Sequence, residues 1–116
     1  MNKKVVLFAF NGDPMCFVHV MLTAIDMKRR GFDVKVVIEG SATKLIADMA
    51  REGAPFGDLY KDFTGSGFVD CVCKACANKM GVLEAVQEQG FYLCYELSGH
   101  PSMGRYIESG YEVITF

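Results

Sequence analysis

Lys4-Val5-Val6-Leu7-Phe8-Ala9-Phe10, followed at once by Asn11-Gly12-Asp13-Pro14, is the stretch whose reading decides the fold. A nearly unbroken apolar, β-prone run marks a strand covered on both faces, as in a parallel sheet; a strand with one wet face would alternate. Asp13 before Pro14 reads as a helix N-cap and first helical position, since the N–H that proline lacks has no partner in a first turn anyway. Met-Asn-Lys-Lys ahead of the run has the outline of a secretory leader, but the run ends at Asn11-Gly12 too soon for one, so it is read as strand.

The same alternation continues outward. A helix of about 17 residues runs from Pro14 to the stop at Gly31, with Phe17, Met21, Ala24 and Ile25 on one apolar face. Asp33–Ile38 is a second strand, and Glu39-Gly40-Ser41 leads into a helix over 42–51. Gly53-Ala54-Pro55 ends that helix, and Phe56–Phe63 adds a short helical turn before Gly65-Ser66-Gly67. Val69–Cys73 is strand three, with helical propensity over 75–80 and 83–89 broken at Gly81. Phe91–Tyr95 is strand four, Ser102–Ser109 a helix, and Tyr111–Phe116 strand five. Strands alternating with helices predict one α/β domain over 1–116: three layers, α/β/α, around a mostly parallel five-stranded sheet.

Composition narrows the function. With 51% hydrophobic residues in 116, the chain has material for one core. Fourteen acidic residues against twelve basic ones, net −2, leave no positive field to gather nucleic acid or anionic lipid. The uncharged stretch Pro14–Ile25 falls short of the ~18 residues of a membrane span. Five cysteines, an odd number in mostly apolar context, fit a reducing compartment better than a disulfide scaffold, so a cytoplasmic location is expected.

In parallel sheets ligands bind beyond the carboxyl ends of the strands. Those ends are Asn11-Gly12-Asp13, Glu39-Gly40-Ser41, Cys73-Lys74 and the segment Glu96–His100. Three cysteines crowd into Cys71-Val72-Cys73-Lys74-Ala75-Cys76. On a strand Cys71 and Cys73 share a face; Cys71 falls deeper and reads as a core residue, whereas Cys73 sits at the mouth. Cys76, three residues on, can meet Cys73 across the first helical turn. A helix start and the adjacent Lys74 both favour a thiolate at Cys73, predicting a thiol pKa well below the ~8.5 of free cysteine. Three chemistries remain open for the cluster. A structural zinc wants four ligands, and Cys16, Cys94 and His100 are the further candidates beside the one Cys-x-x-Cys pair. A dithiol redox switch needs only Cys73 and Cys76. A persulfide carrier needs one accessible thiolate.

The chain resembles the DsrE/DsrF-like family, including its TusD-type sulfur-relay subunits. The likeness runs through Val5-Val6-Leu7, Gly31-Phe32-Asp33-Val34, Val72-Cys73-Lys74-Ala75-Cys76-Ala77, Gly81-Val82 and Val113-Ile114-Thr115-Phe116, nearly the whole length. The resemblance implies a flavodoxin-like architecture and a sulfurtransferase-like carrier that accepts sulfane sulfur as a persulfide on Cys73, without an organic cofactor. It also implies a sulfur-donor protein such as a desulfurase or rhodanese, an acceptor protein, and a homo-oligomer, trimer or hexamer. Cys76 stands where the family usually has a small residue.

Around the thiols, Lys74, the helix-opening N–H groups and His100 would stabilise a thiolate, and Glu39 would orient a substrate or tune Cys73. Each has a plainer reading: Glu39 as a favourable charge before a helix, Asp13 as an N-cap, Asn11 as a turn residue at the rim, His100 as a loop residue. Cys16 would approach Cys73 only if strands one and three are neighbours, and His19 is read as structural. The opposed function class is a non-catalytic oligomeric binding module that holds a small ligand or metal at the sheet edge. Seven methionines and nine phenylalanines exceed what a small core readily hides. Phe17, Met21, Phe56, Tyr60, Phe63, Phe68 and Met103 are therefore the expected self-association surface.

Overall fold

The computed structural model describes residues 3–116; Met1 and Asn2, where the leader-like outline begins, lie outside the described residues. The strands are β1 (Lys4–Ala9), β2 (Asp33–Ile38), β3 (Val69–Cys73), β4 (Leu93–Cys94) and β5 (Glu112–Thr115). All four strand pairings are parallel, in the order β4-β3-β2-β1-β5. The helices are α1 (Pro14–Arg29), α2 (Lys44–Ala50), α3 (Gly57–Gly65), α4 (Lys74–Lys79), α5 (Leu83–Glu88) and α6 (Met103–Glu108), with a 3-10 turn at Gly40–Thr43 ahead of α2.

That order explains how the layers fill. From β1 to β4 the chain steps in one direction across the sheet, so right-handed crossovers lay α1 to α5 on one face; the return to β5 reverses direction and puts α6 on the other. The larger core confirms it: Val5, Leu7, Val36, Ile38 and Val72 meet Phe17 and Met21 of α1, Leu45 and Ile46 of α2, Phe63 of α3 and Val86 of α5. On the opposite face Val6, Phe8, Val37, Cys71 and Cys94 pack with Tyr106 of α6 and with Tyr111. Each large side chain sealed in this way contributes about 1.5–3 kcal/mol, which holds the short helices to the sheet despite their length.

Local signals act as read. Asp13 Oδ1 accepts the Met15 N–H at 2.9 Å, the N-cap that starts α1 beside Pro14. Tyr60 fastens three helices, its hydroxyl donating to Gln89 Oε1 at 2.7 Å while Gln89 Nε2 donates to the Ile46 carbonyl at 2.8 Å.

Several expectations need correction. Phe17, Met21, Tyr60, Phe63 and Phe68 are core residues, not a self-association surface, because the sheet face under α1 and α3 is wide enough to take them; Phe17 meets Phe63 edge-on at 5.9 Å and Phe68 stacks on Phe63 at 5.5 Å. Phe56 is exposed, and Met103 packs partly against the smaller core. Strand four spans Leu93–Cys94 only, since the chain turns away directly afterwards. Cys71 is buried as expected, but its sulfur is bonded to Cys94 on the neighbouring strand, with Cα atoms 5.7 Å apart, so the expectation of unpaired cysteines, on which the reducing compartment rests, fails for this pair. Cys94 is thereby removed from the possible metal ligands. Because β2 lies between β1 and β3, Cys16 is not brought to Cys73 by strand adjacency. Among the described residues no helix is long and apolar enough to cross a membrane.

Candidate functional site

Cys73 ends β3 and caps α4, a double position that turns its side chain back over the first helical turn. Its Sγ lies 2.9 Å from Cys76 Sγ and accepts the Cys76 backbone N–H at 3.4 Å. The strand delivers the first sulfur and one turn of helix returns the second, as Cys-x-x-Cys spacing allows.

The third member arrives on a hairpin. Leu97 and His100 exchange backbone hydrogen bonds of 2.8 and 2.9 Å around Ser98 and Gly99, whose φ values of 49° and 90° are those of a type I′ turn. The Gly99 carbonyl accepts the Ala75 N–H at 2.9 Å, docking this turn on the start of α4. Glycine is required there: a Cβ on residue 99 would stand 3.2 Å from Ala75 Cβ in a backbone region that side chains rarely adopt. The turn carries His100 Nδ1 to 3.2 Å from Cys73 Sγ and 3.7 Å from Cys76 Sγ. Glu39, one residue beyond β2, completes the group with Oε1 at 3.8 Å from the same nitrogen. The four donor atoms all lie within 4.8 Å of one another.

Burial is graded across the cluster. Cys73 is fully buried, Cys76 half-buried, the Glu39 side chain 13% exposed and that of His100 44% exposed. The thiol of Cys73 is pushed up to about 12, first by burial and then by its hydrogen bond to Cys76, against the lowering effect of the Cys76 N–H. This reverses the expected acidic thiol: desolvation outweighs one long hydrogen bond from a helix of only six residues. Burial also raises the Glu39 carboxyl, partly opposed by the charge of His100.

The remaining residues singled out in the sequence stand apart from this group. Lys74 Nζ sits 4.8 Å from the centre of the Tyr95 ring, a cation–π contact on the outer side. Asn11 Oδ1 accepts the Asp13 N–H at 2.8 Å and Asp13 caps α1, so both shape the loop after β1. His19 is exposed on α1, and Cys16 is a free, half-buried thiol on the same helix. Beside the thiols, a groove of about 480 Å³ is lined by Lys74, Ala75, Asn78, Leu83, Tyr95 and Gly99.

Sequence reasoning missed the neighbourhood of the disulfide. Tyr106 donates its hydroxyl to Asp70 Oδ2 and receives Arg105 Nη2 at 3.2 Å, while Arg105 Nε donates to Glu96 Oε1 at 3.1 Å. Asp70, Glu96 and Arg105 line a second groove of about 400 Å³ with Cys71 and Cys94. The available signal was the placement of Cys94 on the strand that follows Cys71.

Residues 4–116 match the model of the DsrE/DsrF-like family. The uncharacterized protein MJ0733 of Methanocaldococcus jannaschii is 32% identical over 96 residues, 83% of this chain and 76% of that protein. An uncharacterized protein of Archaeoglobus fulgidus is 39% identical over 61 residues, 53% of this chain and 98% of that one. Among solved structures, the conserved protein of unknown function BT1422 from Bacteroides thetaiotaomicron superposes with a TM-score of 0.71 over 97% of this chain and 95% of that chain. At 17% identity, that superposition bears on the fold alone.

Proposed function

The chain belongs to the DsrE/DsrF-like family, and from that premise we propose that it is a cytoplasmic sulfur carrier that takes up sulfane sulfur as a persulfide on Cys73 and hands it to a partner protein. The observation that carries this reading is the contact of two thiols with one imidazole at the carboxyl edge of the sheet. His100 Nδ1, 3.2 Å from the sulfur, is placed to take the proton that burial otherwise keeps on Cys73. The resulting thiolate attacks the outer sulfur of a donor persulfide; the new S–S bond forms on Cys73, the donor's S–S bond breaks, and the donor leaves as its thiolate. Delivery to the acceptor is the same exchange in the other direction, with no net oxidation.

Cys76 is the more accessible thiol, and sulfur arriving there can pass to Cys73 by one further exchange across 2.9 Å. Lys74 and Tyr95 at the adjoining groove, with Asn11 and Asp13 on the loop after β1, form the rim that a donor or acceptor protein meets. The reading includes a homo-oligomer, trimer or hexamer, and the exposed Tyr92, Tyr95 and Leu97 near the mouth are apolar surface for it or for a partner.

The same 2.9 Å separation favours a second reading, a dithiol switch. Attack of the Cys76 thiolate on Cys73 Sγ of the persulfide would form a Cys73–Cys76 disulfide and release hydrosulfide.

Mass spectrometry with peptide mapping, on protein that keeps the Cys71–Cys94 bridge and has Cys73 and Cys76 as free thiols, after exposure to inorganic polysulfide tests both. One added sulfur on the wild type, absent from Cys73→Ser, supports the carrier. An adduct kept by Cys73→Ser and lost in Cys76→Ser moves the carrier to Cys76. Loss of two hydrogens with sulfide release, mapped to the peptide that holds Cys73 and Cys76, identifies the switch. No modification at either cysteine eliminates sulfur transfer.

A further inference from the structure

We propose that Glu39, Cys73, Cys76 and His100 form a zinc-binding site, an S₂NO donor set that a Zn²⁺ ion takes up at the carboxyl edge of the sheet. Thiolate, imidazole and carboxylate are the ligand types that zinc accepts in four-coordinate sites. Each donor comes from a different structural device: the end of β2, the end of β3, the first turn of α4, and a type I′ turn docked onto that helix. Long sequence separations thus converge on one point without a dedicated loop.

The distances allow the test of fit. Bonds of about 2.0–2.3 Å at tetrahedral angles require donor-to-donor edges of about 3.3–3.8 Å. The observed edges from His100 Nδ1 are 3.2 Å to Cys73 Sγ, 3.7 Å to Cys76 Sγ and 3.8 Å to Glu39 Oε1. The 2.9 Å sulfur-to-sulfur edge is too short and the donors spread over as much as 4.8 Å, so closing on an ion takes side-chain rotations of the half-buried Cys76 and of Glu39. The Cys76 backbone N–H on Cys73 Sγ supplies the outer hydrogen bond that thiolate ligands of metals commonly receive.

Two thiolates and the Glu39 carboxylate around Zn²⁺, with neutral imidazole as fourth ligand, leave one net negative charge, and binding releases whatever protons the ligands carry. Glu39, the hard oxygen donor, is the ligand most readily exchanged. Zinc and sulfur then exclude each other, because the ion occupies the sulfur electron pairs that would attack a persulfide.

The experiment is anaerobic titration of the full chain, with the Cys71–Cys94 bridge intact and Cys73 and Cys76 as free thiols, with Zn²⁺ against a chromophoric chelator, followed by substitution with Co²⁺. The expected result is one equivalent bound, with thiolate-to-cobalt charge-transfer bands and the visible bands of tetrahedral cobalt. Affinity should fall by about 100-fold or more in Cys76→Ser and in His100→Ala, both at partly exposed positions that can change without emptying the core, and by less in Glu39→Gln. Cys16→Ser, on α1, should leave it unchanged. Failure of the wild type to bind one equivalent, or binding that survives both Cys76→Ser and His100→Ala, overturns the site. Polysulfide loading measured on the same preparation separates the two claims: a chain that loads sulfur but binds no zinc defeats only this inference, and one that binds zinc but never loads sulfur defeats only the carrier.

Discussion

His100 Nδ1 and Cys73 Sγ meet at 3.2 Å although they stand 27 positions apart in sequence, and Cys73 is buried while His100 reaches solvent. The imidazole therefore connects a sealed thiol to bulk water. Replacing it with alanine should slow polysulfide loading of Cys73 by about 100-fold, the usual worth of a positioned base. Timed mass spectrometry reads the rate; an unchanged rate would remove His100 from the chemistry.

Alkylation should distinguish the thiols. At neutral pH iodoacetamide should reach the half-buried Cys76 at least about tenfold faster than Cys73, whose thiol is both covered and reluctant to ionise. Peptide mapping at increasing times measures the ratio, which should collapse toward one in urea. Equal labelling of the folded chain would mean that Cys73 is not sealed.

The raised thiol also predicts alkaline instability. Below pH 9 Cys73 is protonated in both folded and unfolded chains, and its contribution is complete. Between about 9 and about 12 only the unfolded chain ionises, so stability falls, by up to about 1.4 kcal/mol per pH unit from this group. Tyr60 and Tyr106, which burial also keeps protonated, act in the same direction. Cys73→Ala should therefore weaken, and not abolish, the alkaline slope of urea midpoints.

Gly99→Ala should cost about 1–3 kcal/mol from backbone strain and displace the turn that carries His100. Thermal melts read the first effect and loading rates the second. Gly90→Ala, also at positive φ but with open space around it, should cost stability alone.

Thiol counts test the pairing of Cys71 with Cys94. Unfolded without reductant, the chain should expose three free thiols, Cys16, Cys73 and Cys76, and five after reduction. With its ends 23 positions apart in sequence, the bridge should stabilise the fold by about 3 kcal/mol, measured as the difference in urea unfolding with and without reductant.

What the sequence made legible was local. The apolar run of β1, the Asp13-Pro14 cap and the glycine stops drew most element boundaries, and cysteines three residues apart across a strand-to-helix junction had to lie close. Strand order was another matter. Whether β2 or β1 flanks β3 depends on the direction of each crossover, which no short segment encodes, and with it went the placement of Cys16 and the partner of Cys71. Lys74 misled for a related reason: adjacency in sequence at a helix start says little about direction, and its ammonium finds the Tyr95 ring instead. The low thiol pKa expected at Cys73 failed because the charge logic of a helix end is readable in sequence and the depth of burial is not.

The edge strand β4 has only two residues, and one of them, Cys94, is tied covalently to β3. Directly beyond it the chain turns to deliver His100. The segment that carries the imidazole is therefore fastened at both ends, at its start by the bond joining β4 to β3 and at its turn by the Gly99 carbonyl on the first N–H of α4, so a residue near the rim of the sheet is held as firmly as one inside it.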